Sequence, residues 1–145
     1  MSEPAETAPS PGRLLVVDDD AASRDMLTAR LLRAGFAVIA AASGPEALEL
    51  VASDPAVELV LLDVTMPGMS GLEVLRRLRT MHRAEQLPVI MVTACSDSQG
   101  VVEALDKGAT DYVTKPIDLP VALARIRTQL ARRRAERAQI GRAHV

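Results

Sequence analysis

The sequence predicts an α/β domain in which five strands alternate with five helices, a (βα)5 doubly wound, five-stranded and mostly parallel sheet. Three observations carry this. Short runs of Leu, Val, Ile and Ala recur from Arg13 onward, and those at Leu14–Val17, Val57–Leu62 and Val89–Val92 are continuous rather than alternating, as strands covered on both faces are. Each gap between runs holds a stretch with helical spacing, most of them punctuated by a capping residue or a glycine. Finally, 145 residues suffice for one domain and leave too few for a second.

Each element has its own signal. Leu14–Val17 is the first strand, and Ser23–Ala34 follows as a helix with Leu27, Leu31 and Ala34 on one face, stopped by Gly35. Phe36–Ala41 is the second strand. Ser43-Gly44-Pro45-Glu46 has the form of a capping box opening a helix through Val51. After the third strand, Leu72, Leu75 and Leu78 share a helix face, with Arg76, Arg77 and Arg79 mostly outside. After the fourth, Val101, Val102 and Leu105 mark a helix ended by Gly108. Tyr112–Val113 is the fifth strand, and Asp118 caps a last helix whose stripe is Leu119, Leu123, Ile126 and Leu130.

Composition narrows the function. The chain is 48% hydrophobic and 25% charged, which is the balance of a globular domain. Aromatics stop at Phe36 and Tyr112, which argues against stacking platforms for single-stranded nucleic acid. A net charge of -2 gives no general pull toward nucleic acid or membrane. Cys95 is the lone cysteine, which excludes an internal disulfide and fits a cytoplasmic location. Residues 1–12 are acidic and Pro-rich without an apolar core, and are read as a disordered tail rather than a leader or anchor. No apolar run approaches the ~20 residues that span a bilayer.

In open α/β sheets ligands bind at the carboxyl ends of the strands. Strand 1 ends in Asp18-Asp19-Asp20, strand 3 in Asp63, strand 4 in Thr93 and strand 5 in Lys115; strand 2 ends in alanines. Clustered carboxylates raise one another's pKa unless a cation neutralises them, and a hard, oxygen-seeking divalent ion, Mg2+ above all, is the expected remedy. Lys115 would add a second positive charge and Thr93 a hydroxyl donor. Such a set can stabilise a phosphoryl group in transfer to an aspartate.

The motifs Leu15-Val16-Val17-Asp18-Asp19-Asp20, Leu61-Leu62-Asp63 through Gly71, Val92-Thr93-Ala94 and Tyr112-Val113-Thr114-Lys115-Pro116 occur in one order. Together they resemble the receiver domain of two-component response regulators, the CheY-like family, over roughly Arg13 to Leu130. Domains of that family have the strand order 2-1-3-4-5 among flavodoxin-like sheets, so that order is an implication of the resemblance. The resemblance further implies that Asp63 is the phosphoacceptor. It implies that Asp18, Asp19, Asp63 and the backbone carbonyl of Thr65 surround Mg2+, and that Lys115 pairs with phosphoryl oxygens. Thr93 and Tyr112 would be switch residues, and the Lys115-Pro116 bond would be cis. Thr65 and Cys95 would line the phosphate's approach and tune its loss. The implied partners are a sensor histidine kinase or phosphotransfer protein. A homodimer through helix 4, strand 5 and helix 5, or through the C-terminal helix, and a downstream output domain are also implied.

Plainer readings stand beside these. Asp20 reads as the cap of helix 1, Tyr112 serves equally as packing, Cys95 as a small space-filler, and His82 and His144 receive no role. A flavin binder is disfavoured because three aspartates after strand 1 would repel its phosphate. A haloacid-dehalogenase-type phosphatase is disfavoured because Thr65 stands where a second Asp is needed. A phosphorylation-independent interaction module remains, weakened by the intact Asp18, Asp19, Asp63, Thr93 and Lys115. Turnover is thus expected only on the domain's own phosphoryl group. Past Leu130 the chain stays helix-favouring, with seven arginines and one acid between Arg125 and Arg142. Continuing the apolar stripe lands on Arg133 and Arg137, so the seam should fail there. Residues 131–145 are read as a basic extension of the last helix, with three readings open: a solvated helix end, a connector to an output domain, or a coiled dimer contact. With no helix-turn-helix following, direct nucleic-acid binding is not expected.

Overall fold

The computed structural model describes the backbone of residues 13–94 and 98–143, and the side chains of 13–94 and 101–138. The stretch read as a disordered tail, Cys95 and His144 lie outside the described residues. The elements, in chain order, are β1 Arg13–Val17, α1 Ala21–Arg33, β2 Ala37–Ala41, α2 Gly44–Ser53, β3 Val57–Asp63, α3 Gly71–Met81, β4 Val89–Thr93, α4 Ser98–Asp106, β5 Asp111–Thr114 and α5 Leu119–Ala143. The sheet order is β2-β1-β3-β4-β5, and every neighbouring pair runs parallel. This is the doubly wound CheY-like arrangement that the alternation and the resemblance called for.

Continuous apolar strands divide their residues between two layers. Leu15, Val17, Val60, Leu62, Val89 and Met91 face α2, α3 and α4, meeting Ala47, Val74, Leu75 and Leu78. Leu14, Val16, Leu59, Leu61, Ile90 and Val92 face α1 and α5, meeting Leu27, Leu31, Ile126 and Leu130. A side chain of this size contributes about 1.5–3 kcal/mol when fully buried, so the central strands hold the domain together.

The helix ends follow their local chemistry. Asp20 is the N-cap of α1, its carboxylate accepting from the Ser23 N–H at 2.8 Å, so that helix begins two residues before Ser23. Gly35 takes φ 100°. The Phe36 and Gly35 N–H groups bond the Leu31 and Leu32 carbonyls, which closes α1 in a Schellman turn. At α2 the Ser43 hydroxyl accepts from Glu46 N–H, but the Glu46 carboxylate reaches past Ser43 to the Ala42 N–H at 2.8 Å. The Lys115-Pro116 bond is cis.

Three expectations about side chains need correction. In α4 the inward residue is Ala104, while Val102 and Leu105 are 54% and 42% exposed, because the helix lies with its small residue against the sheet. Arg79 is not outside: its guanidinium turns inward to the Gly108 and Leu87 carbonyls at 2.8 Å each, tying α3 to the turns before β4 and β5. Nor does the α5 seam fail at Arg133. That residue is only 7% exposed, because its guanidinium bonds the Gln86 carbonyl and the Glu58 carboxylate instead of water.

Candidate phosphoryl and metal site

Parallel pairing brings the strand ends together. Val17 of β1 pairs with Leu62 of β3, so Asp18 and Asp63, the next residues on each, emerge side by side. Asp63 pairs with Val92 on the other flank, which puts Thr93 one step beyond. Thr93 pairs with Thr114, and the Lys115 N–H donates to the Thr93 carbonyl at 2.8 Å, so β5 delivers Lys115 to the same edge.

The side chains then converge. Carboxylate oxygens of Asp18, Asp19 and Asp63 all lie within 4.8 Å of one another. Asp18 and Asp63 are buried and Asp19 is exposed. Lys115 Nζ lies 3.2 Å from Asp63 Oδ2 and 3.6 Å from Asp18 Oδ2. Tyr112 is half-buried against the α2/α3/α4 layer, one strand over from Met91, with the Arg125 guanidinium 5.8 Å from its ring centre.

Electrostatics set the site's character. Burial pushes the Asp63 carboxyl above the ordinary carboxylate range, and the Asp18 charge adds to this, against the pull of the Thr65 N–H and Lys115. For Lys115, burial acts downward, but the charge and hydrogen bond of Asp63, then those of Asp18, win and raise it. The lysine therefore stays protonated. One ammonium facing three carboxylates leaves two negative charges uncompensated. At such separations each like-charged pair repels by on the order of 3 kcal/mol at the effective dielectric of a protein. An all-oxygen donor set with excess negative charge fits a hard divalent cation.

Three contributors escaped the sequence reading. The Thr65 N–H donates to Asp63 Oδ1 at 3.1 Å and fixes that carboxylate's rotation. Arg24, on α1, donates to the Asp18 carbonyl at 2.8 Å and holds the acidic turn. Its placement on the helix face toward that turn was the available signal. Gly71 lies so close behind the site that a Cβ there would collide with the Asp63 carbonyl oxygen and Val64 Cα, while its N–H bonds the Val64 carbonyl at 2.9 Å. The sequence places it only as the last residue of the motif that begins at Leu61.

A parallel five-stranded sheet thus carries three acids and a lysine at its carboxyl edge, and comparison with known proteins gives its class. A family profile described as the response regulator receiver domain matches residues 14–127, and the chain belongs to that family. It is 46% identical over 124 residues to the transcriptional regulatory protein AfsQ1 of Streptomyces coelicolor, covering 86% of this chain and 52% of that protein. It is likewise 46% identical over 122 residues to the response regulator MprA of Mycolicibacterium vanbaalenii, covering 84% and 52%. Among solved structures, a CheY-like receiver domain protein from Methanospirillum hungatei superposes with a TM-score of 0.79 at 31% identity, covering 88% of this chain and 99% of that one. The chain spans about half the length of the curated relatives it matches. No helix among the described residues is long and apolar enough to cross a membrane.

Proposed function

We propose that Asp63 is the phosphoacceptor of this receiver domain and that its phosphorylation gates a surface switch. The observation that carries the reading is the Asp63 carboxylate, buried, 3.2 Å from the Lys115 ammonium and grouped with Asp18 and Asp19. A sensor histidine kinase or phosphotransfer protein would present phosphohistidine. An Asp63 carboxylate oxygen attacks phosphorus, the P–N bond breaks, and its electron pair stays on the departing imidazole. Lys115 keeps its proton and pairs with the phosphoryl oxygens, and the Thr93 hydroxyl donates to another. In the return reaction water attacks phosphorus, the P–O bond to Asp63 breaks, and inorganic phosphate leaves. The domain thus turns over only its own phosphoryl group. Asp18, Asp19 and Asp63, with the Thr65 carbonyl, would hold Mg2+, which supplies charge neutralisation for the acid cluster and the added dianion.

The switch is read to run from Thr93 and Tyr112 to the face formed by α4, β5 and α5. Val102, Leu105 and Val121 are exposed apolar residues on α4 and α5. The Asp111 carboxylate and Arg125 guanidinium, 3.1 Å apart, link β5 to α5. Apolar surface bordered by charge suits a second copy of the chain, so homodimerisation here is the proposed readout. α5 continues past the receiver's seam and would connect to a downstream output domain, as the greater length of the curated relatives suggests. A cytoplasmic location goes with this reading.

The test is incubation with Mg2+ and acetyl phosphate, followed by intact mass and size-exclusion chromatography. The wild type should gain one phosphoryl mass and shift toward a dimer, and Asp63→Asn should do neither. Incorporation into the Asn variant would remove Asp63 from its role, and phosphorylation without a change in size would remove the dimer readout.

A further inference from the structure

Parallel strands place their amino ends together as surely as their carboxyl ends. At this opposite pole is a hollow of about 670 Å3 lined by Arg13 at the start of β1, Pro55 before β3, Glu58 within it, and Arg133, Arg134 and Arg137 of α5. Its charges do not balance. Both oxygens of Glu58 are taken, Oε2 by Arg133 at 2.7 Å and Oε1 by Arg134 at 3.1 Å. Arg13 is paired with Asp54 at 2.7 Å. Arg137 makes no ion pair among the described residues. The lining thus holds four guanidiniums and one carboxylate, with Asp54 paired to Arg13 from outside it, while Glu85 and Glu136 line the adjoining hollow that shares Arg133 and Arg137.

The hollow is also built. The register between β1 and β3 slips after Arg13, which pairs with Val57 while Leu14 pairs with Leu59, leaving Glu58 as the extra residue of a bulge. A bulge re-aims a side chain, and here it turns Glu58 to α5. Arg133 is 7% exposed and held by the Gln86 carbonyl at 2.8 Å, so its guanidinium cannot swing out to water. Burial pulls Arg133 below the usual arginine range, and beyond the help of Glu58 the charges of Arg137 and Arg134 pull it further. Glu58 already occupies one oxyanion position between two guanidinium forks. Most remaining N–H donors of Arg13, Arg134 and Arg137 have no protein acceptor among the described residues.

We propose that this hollow binds a small polyphosphate, either an inorganic chain or the phosphate end of a free nucleotide. Planar guanidinium forks match phosphate oxygens two at a time and are weakly hydrated, so several on one concavity favour phosphates over a single carboxylate. One phosphoryl group would satisfy two forks at most. With the remaining N–H groups of Arg13 and Arg134 and the whole fork of Arg137 available, a ligand with successive phosphoryl groups uses the site more fully. The acidic Asp63 pole, at the other end of the strands, repels such a ligand when no metal is present.

The experiment is calorimetric titration of the whole chain at low salt with a chelator present, using tripolyphosphate and ATP as separate probes and duplex DNA as a third. Saturable binding of tripolyphosphate or ATP is expected, weakened at least about tenfold in Arg134→Ala/Arg137→Ala. It should stay unchanged in Arg76→Ala/Arg77→Ala, which removes two exposed α3 arginines, and in Asp63→Asn. The single variant Arg137→Ala, which breaks no ion pair, should also weaken binding with the fold intact by circular dichroism. Comparing the two probes tells whether a nucleoside is accommodated. No saturable heat with either, equal weakening in the α3 variant, or binding of duplex DNA alone would overturn the proposal.

Discussion

At the carboxyl ends of the strands one lysine stands among three aspartates, whereas at the amino ends two arginines share one glutamate. The buried polar side chains of the described residues follow the same division: Asp18 and Asp63 at the first pole, Gln129 and Arg133 on α5. Both poles bury charge, but to different effect. Around Asp63 the carboxylates outnumber their counter-charge, and burial raises its carboxyl above the ordinary carboxylate range. Glu58 has a donor on each oxygen and knits α5 to β3. An uncompensated buried charge weighs on the fold and is kept for a ligand, while the compensated Arg133–Glu58 pair works as a fastener, the excess positive charge of that pole lying outside the pair on Arg13, Arg134 and Arg137.

The largest expected effect tests the scaffold of the acidic pole. Gly71→Ala drives a methyl into the Asp63 carbonyl and Val64, so unfolding in urea should show a loss of about 3 kcal/mol or more, with Mg2+ binding weakened. Wild-type stability in that variant would mean that α3 does not position the strand end.

Next comes the fastener. Arg133→Ala leaves Glu58 with Arg134 alone, and should destabilise by roughly 2–3 kcal/mol, below a fully buried pair because Glu58 keeps 19% of its side chain exposed. Replacing both partners, Arg133→Met with Glu58→Leu, should recover much of the loss in the same urea assay. A single variant as stable as wild type would break the contrast between the poles.

The opposite sign is expected at Asp63. Without metal, Asp63→Asn should stabilise the fold, on the order of 1 kcal/mol at neutral pH. A carboxyl whose folded pKa is raised weighs against the fold above that value. The gain should therefore shrink on acidification and vanish below the ordinary pKa of 3.8, a trend that thermal melts across pH can follow. The smallest effect belongs to Glu73, drawn down to about 2 from 4.5 by hydrogen bonds from Arg76 and then Arg77 on an exposed face. Its contribution is complete above pH 4.5 and fades as pH falls through about 2, so wild type and Glu73→Gln should differ slightly in Tm at neutral pH and converge in acid.

Much of the acidic pole was legible because its chemistry coincides with strand ends. A strand read from Val57 to Leu62 makes Asp63 its terminal side chain whatever packs around it. The partners of Asp63 were less legible. The Thr65 N–H belongs to the backbone, which carries no residue-type signal, and Gly71 stood only as the close of a motif until the nearness of the Asp63 carbonyl gave it a reason. Reading α4 from Val101, Val102 and Leu105 chose the larger apolar residues, but a helix that approaches its sheet through Ala104 leaves two of them outside.

Period and punctuation in the chain were enough for ten alternating elements in chain order, and for the five positions Asp18, Asp19, Asp63, Thr93 and Lys115 at strand ends, since these follow from local spacing and the geometry of parallel sheets, while the lateral strand order came from the resemblance. Whether Arg133 meets water or Glu58 was decided by tertiary structure. It depends on a one-residue slip between β1 and β3 and on where α5 crosses the sheet. An arginine continuing an apolar stripe looks the same in sequence whether it ends a seam or fastens it, because its partner lies 75 residues away.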